Sequence, residues 1–230
     1  MAHLGAGVPG AGTVLVTVLV GRSGGAVVVL LPEGSVGGAD ARGGPAGTRE
    51  VEVLAPENLV ARVDAVCVGS GGPAGLAAAD GVMRWLRERD RGFRVGDDPG
   101  QVVPIVPAAT DPGGEVASAE AGHLACEAAE PVPEGSWVAV GDHRVQAVPA
   151  GAVAVVVTDA PLDKAQCRRL AISARDGAVR AAGAGGLGAF TVFTAATGQA
   201  AAPVGPAALD RLCGAAADAV AGAWGGASRP

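Results

Sequence analysis

At 230 residues the chain is most simply one domain, 1–230, long enough to bury about 70% of the surface its unfolded form exposes. A net charge of −6 excludes a nucleic-acid partner, since phosphate recognition needs a basic face. With 49% hydrophobic residues but only 3% aromatic ones, the core has to be built from Ala, Val and Leu.

The first 21 residues contain no Lys or Arg, so the charged start of a signal peptide is absent and a cytoplasmic location is expected. The apolar runs at 13–20 and 26–31 fall short of the ~20 residues that cross a bilayer, and no membrane partner is expected. Thr13–Val20 and Ala26–Leu31, separated by Gly21-Arg22-Ser23-Gly24-Gly25, predict a hairpin of strands covered on both faces. Pro32–Gly47 is glycine-rich and reads as a loop carrying Asp40 and Arg42. Val63–Val68 reads as a strand, Gly69–Gly72 as a turn, and Pro73 as the first residue of a helix. Leu76, Ala79, Met83 and Leu86 form its apolar stripe. The basic run Arg84–Arg94 is interrupted by Glu88 and Asp90, as in a solvated helix end.

Val102–Val106 is a short strand that Pro104 places at an edge. Ser118 caps a helix reaching Ala129, on which His123 and Glu127 share a face. That pair fits an ordinary helix surface better than a metal site, and the four scattered cysteines contain no CxxC, so neither zinc nor a redox motif is indicated. Residues 131–150 predict a strand pair turning at Gly141-Asp142, followed by a buried strand at Ala152–Thr158. Asp163 and Gln166 make a capping box for a helix running to about Arg175, with Cys167 on its inner side. A strand at Phe190–Thr194, a helix at Ala207–Trp224 and a loose tail, Gly225–Pro230, complete the chain.

The segments RGGPAGTRE (Arg42–Glu50), PENLV (Pro56–Val60) and GLAAADGVMRWL (Gly75–Leu86) resemble the DmpA-like aminopeptidases, which include the β-aminopeptidases and L-aminopeptidase/D-esterases. PIVPAA (Pro104–Ala109), VTDAPLDKAQCRRLA (Val157–Ala171) and TVF followed by ATG (Thr191–Gly198) resemble later blocks of that family, in the same order. The resemblance covers both ends of the chain but not its middle. It implies an α/β fold, the four-layer α/β/β/α sandwich of the DmpA/ornithine acetyltransferase-like type, shortened, and a homo-oligomer. Members of the family cut their own chain to expose a Ser or Thr nucleophile whose new α-amine serves as base.

Aligned on Thr158-Asp159-Ala160, that nucleophile falls on Gly151, and the family's polar pair before TVF falls on Gly188, Ala189 and Phe190. The serine of the family's GGSAFG turn falls on Gly72, and the central glycine-rich block has no counterpart between Glu134 and Ala150. The expectation is therefore a family member that neither cuts itself nor hydrolyses peptides. Its cleft, lined by Ser70, Gly71, Gly72, Gly151, Gly188 and Phe190, should be apolar, partly filled by the Phe190 ring, with free backbone N–H groups at the Pro73 helix start.

Two further readings stand beside this binding or scaffold role. One is an enzyme acting on a small molecule by acid and base chemistry through Asp142, His143 and Asp159. The other is a dinucleotide-binding turn at Gly69–Gly75, although its glycines are out of phase with the fingerprint and packing at a helix start accounts for them. No cofactor and no metal are expected; a small-molecule ligand is.

Overall fold

The computed structural model describes residues 17–43, 47–183 and 186–225. In chain order the strands are β1 (Leu19–Ser23), β2 (Ala26–Leu30), β3 (Val36–Asp40), β4 (Thr48–Arg49) and β5 (Ala65–Gly69), followed by helix α1 (Ala78–Arg87). Then come β6 (Phe93–Arg94), β7 (Val102–Val103), β8 (Ala108–Thr110), helix α2 (Ala119–Glu127), β9 (Glu130–Pro131), β10 (Val138–Val140), β11 (His143–Ala150) and β12 (Val153–Thr158). Helix α3 (Lys164–Ala182), β13 (Thr191–Ala196) and helix α4 (Pro206–Gly225) finish the fold.

The strands form two sheets, ordered β4-β8-β5-β2-β1-β9 and β10-β11-β12-β13-β3, and a separate β6-β7 ribbon. The pleat sends alternate side chains of a strand to opposite faces, and both faces here are buried. On β12, Val153, Val155 and Val157 meet Val66 and Val68 of β5 between the sheets, whereas Ala154 and Val156 face Leu170 of α3 and Leu212 of α4. On β5, Cys67 instead faces Val82 and Trp85 of α1 and Ala125 of α2. The layers are therefore α1/α2, sheet, sheet, α3/α4, and the expected four-layer α/β/β/α sandwich is observed. Apolar strands without polar alternation are what such double burial requires.

The hairpin is tighter than its glycines predict. Gly21, Arg22 and Ser23 belong to β1, and the turn is Gly24-Gly25, with φ of 45° and 78°. Gly21 serves packing: a Cβ there would lie 1.7 Å from the Ala125 carbonyl oxygen of α2. Thr13–Val16, counted as strand from the sequence, lie outside the described residues.

Pro32–Gly47 is not all loop, because β3 lies within it and pairs antiparallel with β13. Its Gly38 lets α3 approach so closely that a Cβ would stand 2.5 Å from the Arg168 nitrogen. Pro73 opens a 3-10 turn, Gly72–Ala77, rather than α1 itself, and the buried face of α1 is Ala78, Ala79, Val82, Trp85 and Leu86, with Met83 at its margin. Pro104 does place its segment at an edge: among the described residues β7 pairs only with β6, and the chain re-enters the main sheet as β8.

Ser118 caps α2 by accepting the Ala121 N–H at 3.1 Å, and the Asp163–Gln166 capping box of α3 is formed on both sides. His123 and Glu127 both reach α1 instead of a metal, His123 Nε2 lying 3.1 Å from Glu88 and Glu127 accepting from Trp85 Nε1 and Arg89. Helix α3 passes Arg175 to end at Ala182, and β13 starts and ends later than its sequence pattern indicates. Residues 226–230 of the expected loose tail lie outside the described residues.

Candidate functional site in the cleft between the sheets

Where β2 and β5 of one sheet approach the β11–β12 turn of the other, a cavity of about 800 Å³ opens. Val27, Val68 and Ser70 line it from the first sheet and Pro149–Ala152 from the second. Asp111–Gly113, in the loop after β8, close one side, and Ala181, Leu187, Ala189 and Trp224 supply an apolar wall. Arg22 is the basic residue of the lining, and its Nη2 donates to the Pro149 carbonyl at 3.1 Å.

Gly151 forms the turn between β11 and β12 with φ of 59°, a left-handed conformation that side chains disfavour. The Asp111 carboxylate lies against it. Ala152 N–H donates to Asp111 Oδ1 at 2.8 Å, and a Cβ on Gly151 would come within 2.3 Å of that carboxylate. On the other side, Trp224 Nε1 donates to the Gly151 carbonyl at 3.2 Å.

Of the residues expected to line the cleft, Ser70 and Gly151 do so, while Gly71, Gly72, Gly188 and Phe190 are not part of the lining. Phe190 is 1% exposed, sits in the core beneath α3 and α4, and meets Trp224 edge-on with centroids 5.2 Å apart, so it does not fill the cavity. Two backbone donors just before Pro73 are engaged as well. Gly71 N–H donates to Gly113 O at 2.8 Å and Gly72 N–H to Asp111 O at 3.0 Å, and the Ser70 hydroxyl donates to Glu115 O. Polar character in the cavity comes instead from Asp111 and Arg22.

The structure does not bring Asp142, His143 and Asp159 to this cavity. His143 begins β11 and the cavity adjoins its far end, about 23 Å away at ~3.3 Å per residue. Asp159 is tied to Arg144, accepting its backbone N–H at 2.8 Å and its Nε at 3.1 Å. His143 is buried, and its Nδ1 has no partner among the described residues.

At the Gly69–Gly75 turn, β5 runs antiparallel to β2 on one side and parallel to β8 on the other, and a Cβ at Gly69 would stand 2.0 Å from the Gly75 carbonyl oxygen. These glycines close the turn upon itself. Among the described residues no group of three or more His, Cys, Asp or Glu is placed to hold a metal, and no helix is long and apolar enough to cross a membrane.

Asp111 and Trp224 carry most of the site's distinctive chemistry, and sequence reasoning passed over both. Asp111 stands in TDPGG, which reads as a turn, and Trp224 continues the apolar stripe of the last helix. Neither position carries a spacing signal that distinguishes it from those structural roles.

The Peptidase family S58 model matches residues 10–142 and 115–225. An uncharacterized aminopeptidase of Mycobacterium leprae is 49% identical over 126 residues, 51% of this chain but only 34% of that protein, so the match spans about a third of that relative. An uncharacterized aminopeptidase of Mycobacterium tuberculosis is 34% identical over 260 residues, covering 78% of this chain and 75% of its own. Among solved structures, a Burkholderia sp. β-aminopeptidase superposes with a TM-score of 0.63 at 21% identity, covering 96% of this chain and 87% of its own. The Ochrobactrum anthropi L-aminopeptidase D-Ala-esterase/amidase, described as a variant of the Ntn hydrolase fold, gives 0.60 at 17% identity, covering 94% and 87%. These likenesses carry the fold, and the family match carries the lineage: the chain belongs to peptidase family S58.

Proposed function

We propose that this S58 member neither cuts its own chain nor hydrolyses peptides by the family route, and that its cleft binds a small molecule without a covalent step. The observation that carries the reading is the Gly151 turn. The position that aligns with the nucleophile has no side chain, and the space a side chain would need is held by the Asp111 carboxylate, 2.3 Å from the site of a Cβ. The family route uses a hydroxyl activated by a base. The Ser70 hydroxyl in the lining is bonded to Glu115 O, and Thr110 and Thr191 are buried outside the lining.

Intact-mass spectrometry of the purified protein tests this. One species near 22.1 kDa is expected, and two fragments parted between Ala150 and Gly151 would overturn the proposal. A homo-oligomeric state, which the family resemblance implies, and a cytoplasmic location belong to the same proposal.

A further inference from the structure

We propose that a groove along the open edge of β3 takes the carboxyl-terminal end of an extended peptide as an added strand, with the terminal carboxylate received by Arg168. The groove shares no lining residue with the cleft at Gly151, so the proposal is independent of how that cleft is read. Its volume is about 440 Å³. The floor is the end of β3 and the residues after it, Ala39–Arg42; segment 51–57 makes one wall, and Arg168 and Ile172 of α3 make the other.

The backbone of β3 keeps hydrogen-bonding capacity on that side. Thr191 N–H donates to Ala152 O and Thr197 N–H to Thr158 O, so the odd-numbered residues of β13 turn their backbone groups to β12 and the even-numbered ones turn theirs to β3. Val192 and Thr194 therefore bond with Asp40 and Gly38, whereas Ala39, opposite Phe193, presents its N–H and C=O outward. Val63 N–H donating to Ser35 O gives the same phase from the other side. Among the described residues neither outward group of Ala39 has a hydrogen-bond partner.

Chain 61–63 covers the start of this edge through the Val36–Arg62 bridge. Continued in that register, Val60 and Asn58 would stand opposite Gly38 and Asp40, but their carbonyls are held by Lys164 Nζ at 3.0 and 2.8 Å and the chain leaves the sheet. An unpaired edge at the floor of a groove walled on both faces is the geometry that strand addition uses. The bridge closes the groove at the Val36 end, so a strand entering antiparallel to β3 has to finish there with its carboxylate. Arg168 belongs to that end, since a Cβ on Gly38 would lie 2.5 Å from its backbone nitrogen. Its guanidinium fork suits a carboxylate, whereas Arg42, at the other end, is engaged by both oxygens of Asp40. Leu54 and Ile172 offer apolar surface to the side chains of the peptide, and Glu52 and Glu57 disfavour acidic ones.

The test is calorimetric titration of the full chain with acetyl-Thr-Val-Thr-Val, in which the amino end is blocked and the carboxylate is free. Saturable binding is expected, with the carboxyl-terminal amide of the same peptide about fivefold or more weaker. A single N-methyl group moved along the peptide should abolish binding at alternate residues only, because every second residue of an added strand turns its N–H to β3. Arg168→Gln should make acid and amide equal. Ala39→Pro removes the outward N–H at a sheet edge, where proline is tolerated, and should weaken both. The methylation series and the acid–amide pair use the unmodified protein and decide the matter whether or not a variant folds. No binding at millimolar peptide, equal affinity of acid and amide, a response to methylation without alternation, or an acid–amide difference that survives Arg168→Gln overturns the proposal.

Discussion

Gly151 carries more consequence than any other residue in the chain. Restoring a hydroxyl by Gly151→Thr is not expected to restore chemistry, because the new side chain must adopt φ near 59° and displace a carboxylate 2.3 Å from its Cβ. A β-branched residue in the left-handed region costs about 1–3 kcal/mol before any steric conflict is counted. Urea unfolding should show a loss of at least that size, with the chain still intact by mass. Fragments appearing in the Gly151→Thr protein would mean that the remaining cleavage machinery had survived and that the glycine alone had silenced it. The absence of a side chain at 151 can be read in the sequence once the TDA block is aligned. That Asp111 fills the space cannot, since the two residues are 40 positions apart and meet only because β8 and the β11–β12 turn lie in facing sheets. The same limit explains why Asp142-His143 attracted attention. A histidine beside a carboxylate is a local pattern, whereas its distance from the cleft is fixed by strand length.

Among the elements, the segment 52–60 shows how a loop with little core of its own is held in place. Leu54 is its buried apolar anchor, while Leu59 is fully exposed. Its carbonyls converge on the chain's single lysine: Lys164 Nζ donates to Val53 O and Asn58 O at 2.8 Å and to Val60 O at 3.0 Å, so all three ammonium protons are used. The lysine opens α3, whose capping box fixes where it points. Lys164→Met leaves three carbonyls without a donor and is expected to cost about 2–4 kcal/mol. Lys164→Arg should not recover the loss, because a planar guanidinium cannot serve three converging acceptors as a tetrahedral ammonium does. Urea denaturation measures the loss, and limited proteolysis should place the first cut within 52–60. A loss below about 1 kcal/mol would show that the clamp is dispensable. At this scale the sequence was informative wherever an element announces itself locally, as with Ser118, the Asp163 box or Pro104. It was silent on β3, because Val36-Gly37-Gly38-Ala39-Asp40 has the composition of a loop and is a strand only through pairing with β13 and close approach to α3. It also extended the Pro73 helix too early, since proline fixes where a helical turn starts but not whether that turn is 3-10 or α.

At the scale of the whole molecule, the topology separates the question of whether the chain is cut from the question of whether it folds. In the second sheet the order is β10-β11-β12-β13-β3, so the two strands after Gly151 lie between strands supplied from before it on either side. Residues 151–230 alone would leave β12 and β13 as a parallel pair with two bare edges, Val153, Val155, Val157 and Phe193 uncovered on one face. Residues 1–150 alone would lose the partner of β11 and of β3, along with the helices that cover the sheet's other face. The core between the sheets is shared by the two pieces, and in either one alone the unpaired strands and exposed apolar face promote association. We therefore expect segments 1–150 and 151–230, expressed separately, to be insoluble or unfolded, and co-expressed to purify as one complex with the circular dichroism of the intact chain. The break falls in a turn outside both strands, so no ladder bond inside β11 or β12 is lost. Such a complex would show that the fold tolerates a cut at the aligned position, and that an uncut natural chain reflects missing chemistry at Gly151 rather than a structural need for continuity. A soluble, cooperatively folding 151–230 fragment would contradict the interleaved arrangement on which the expectation stands.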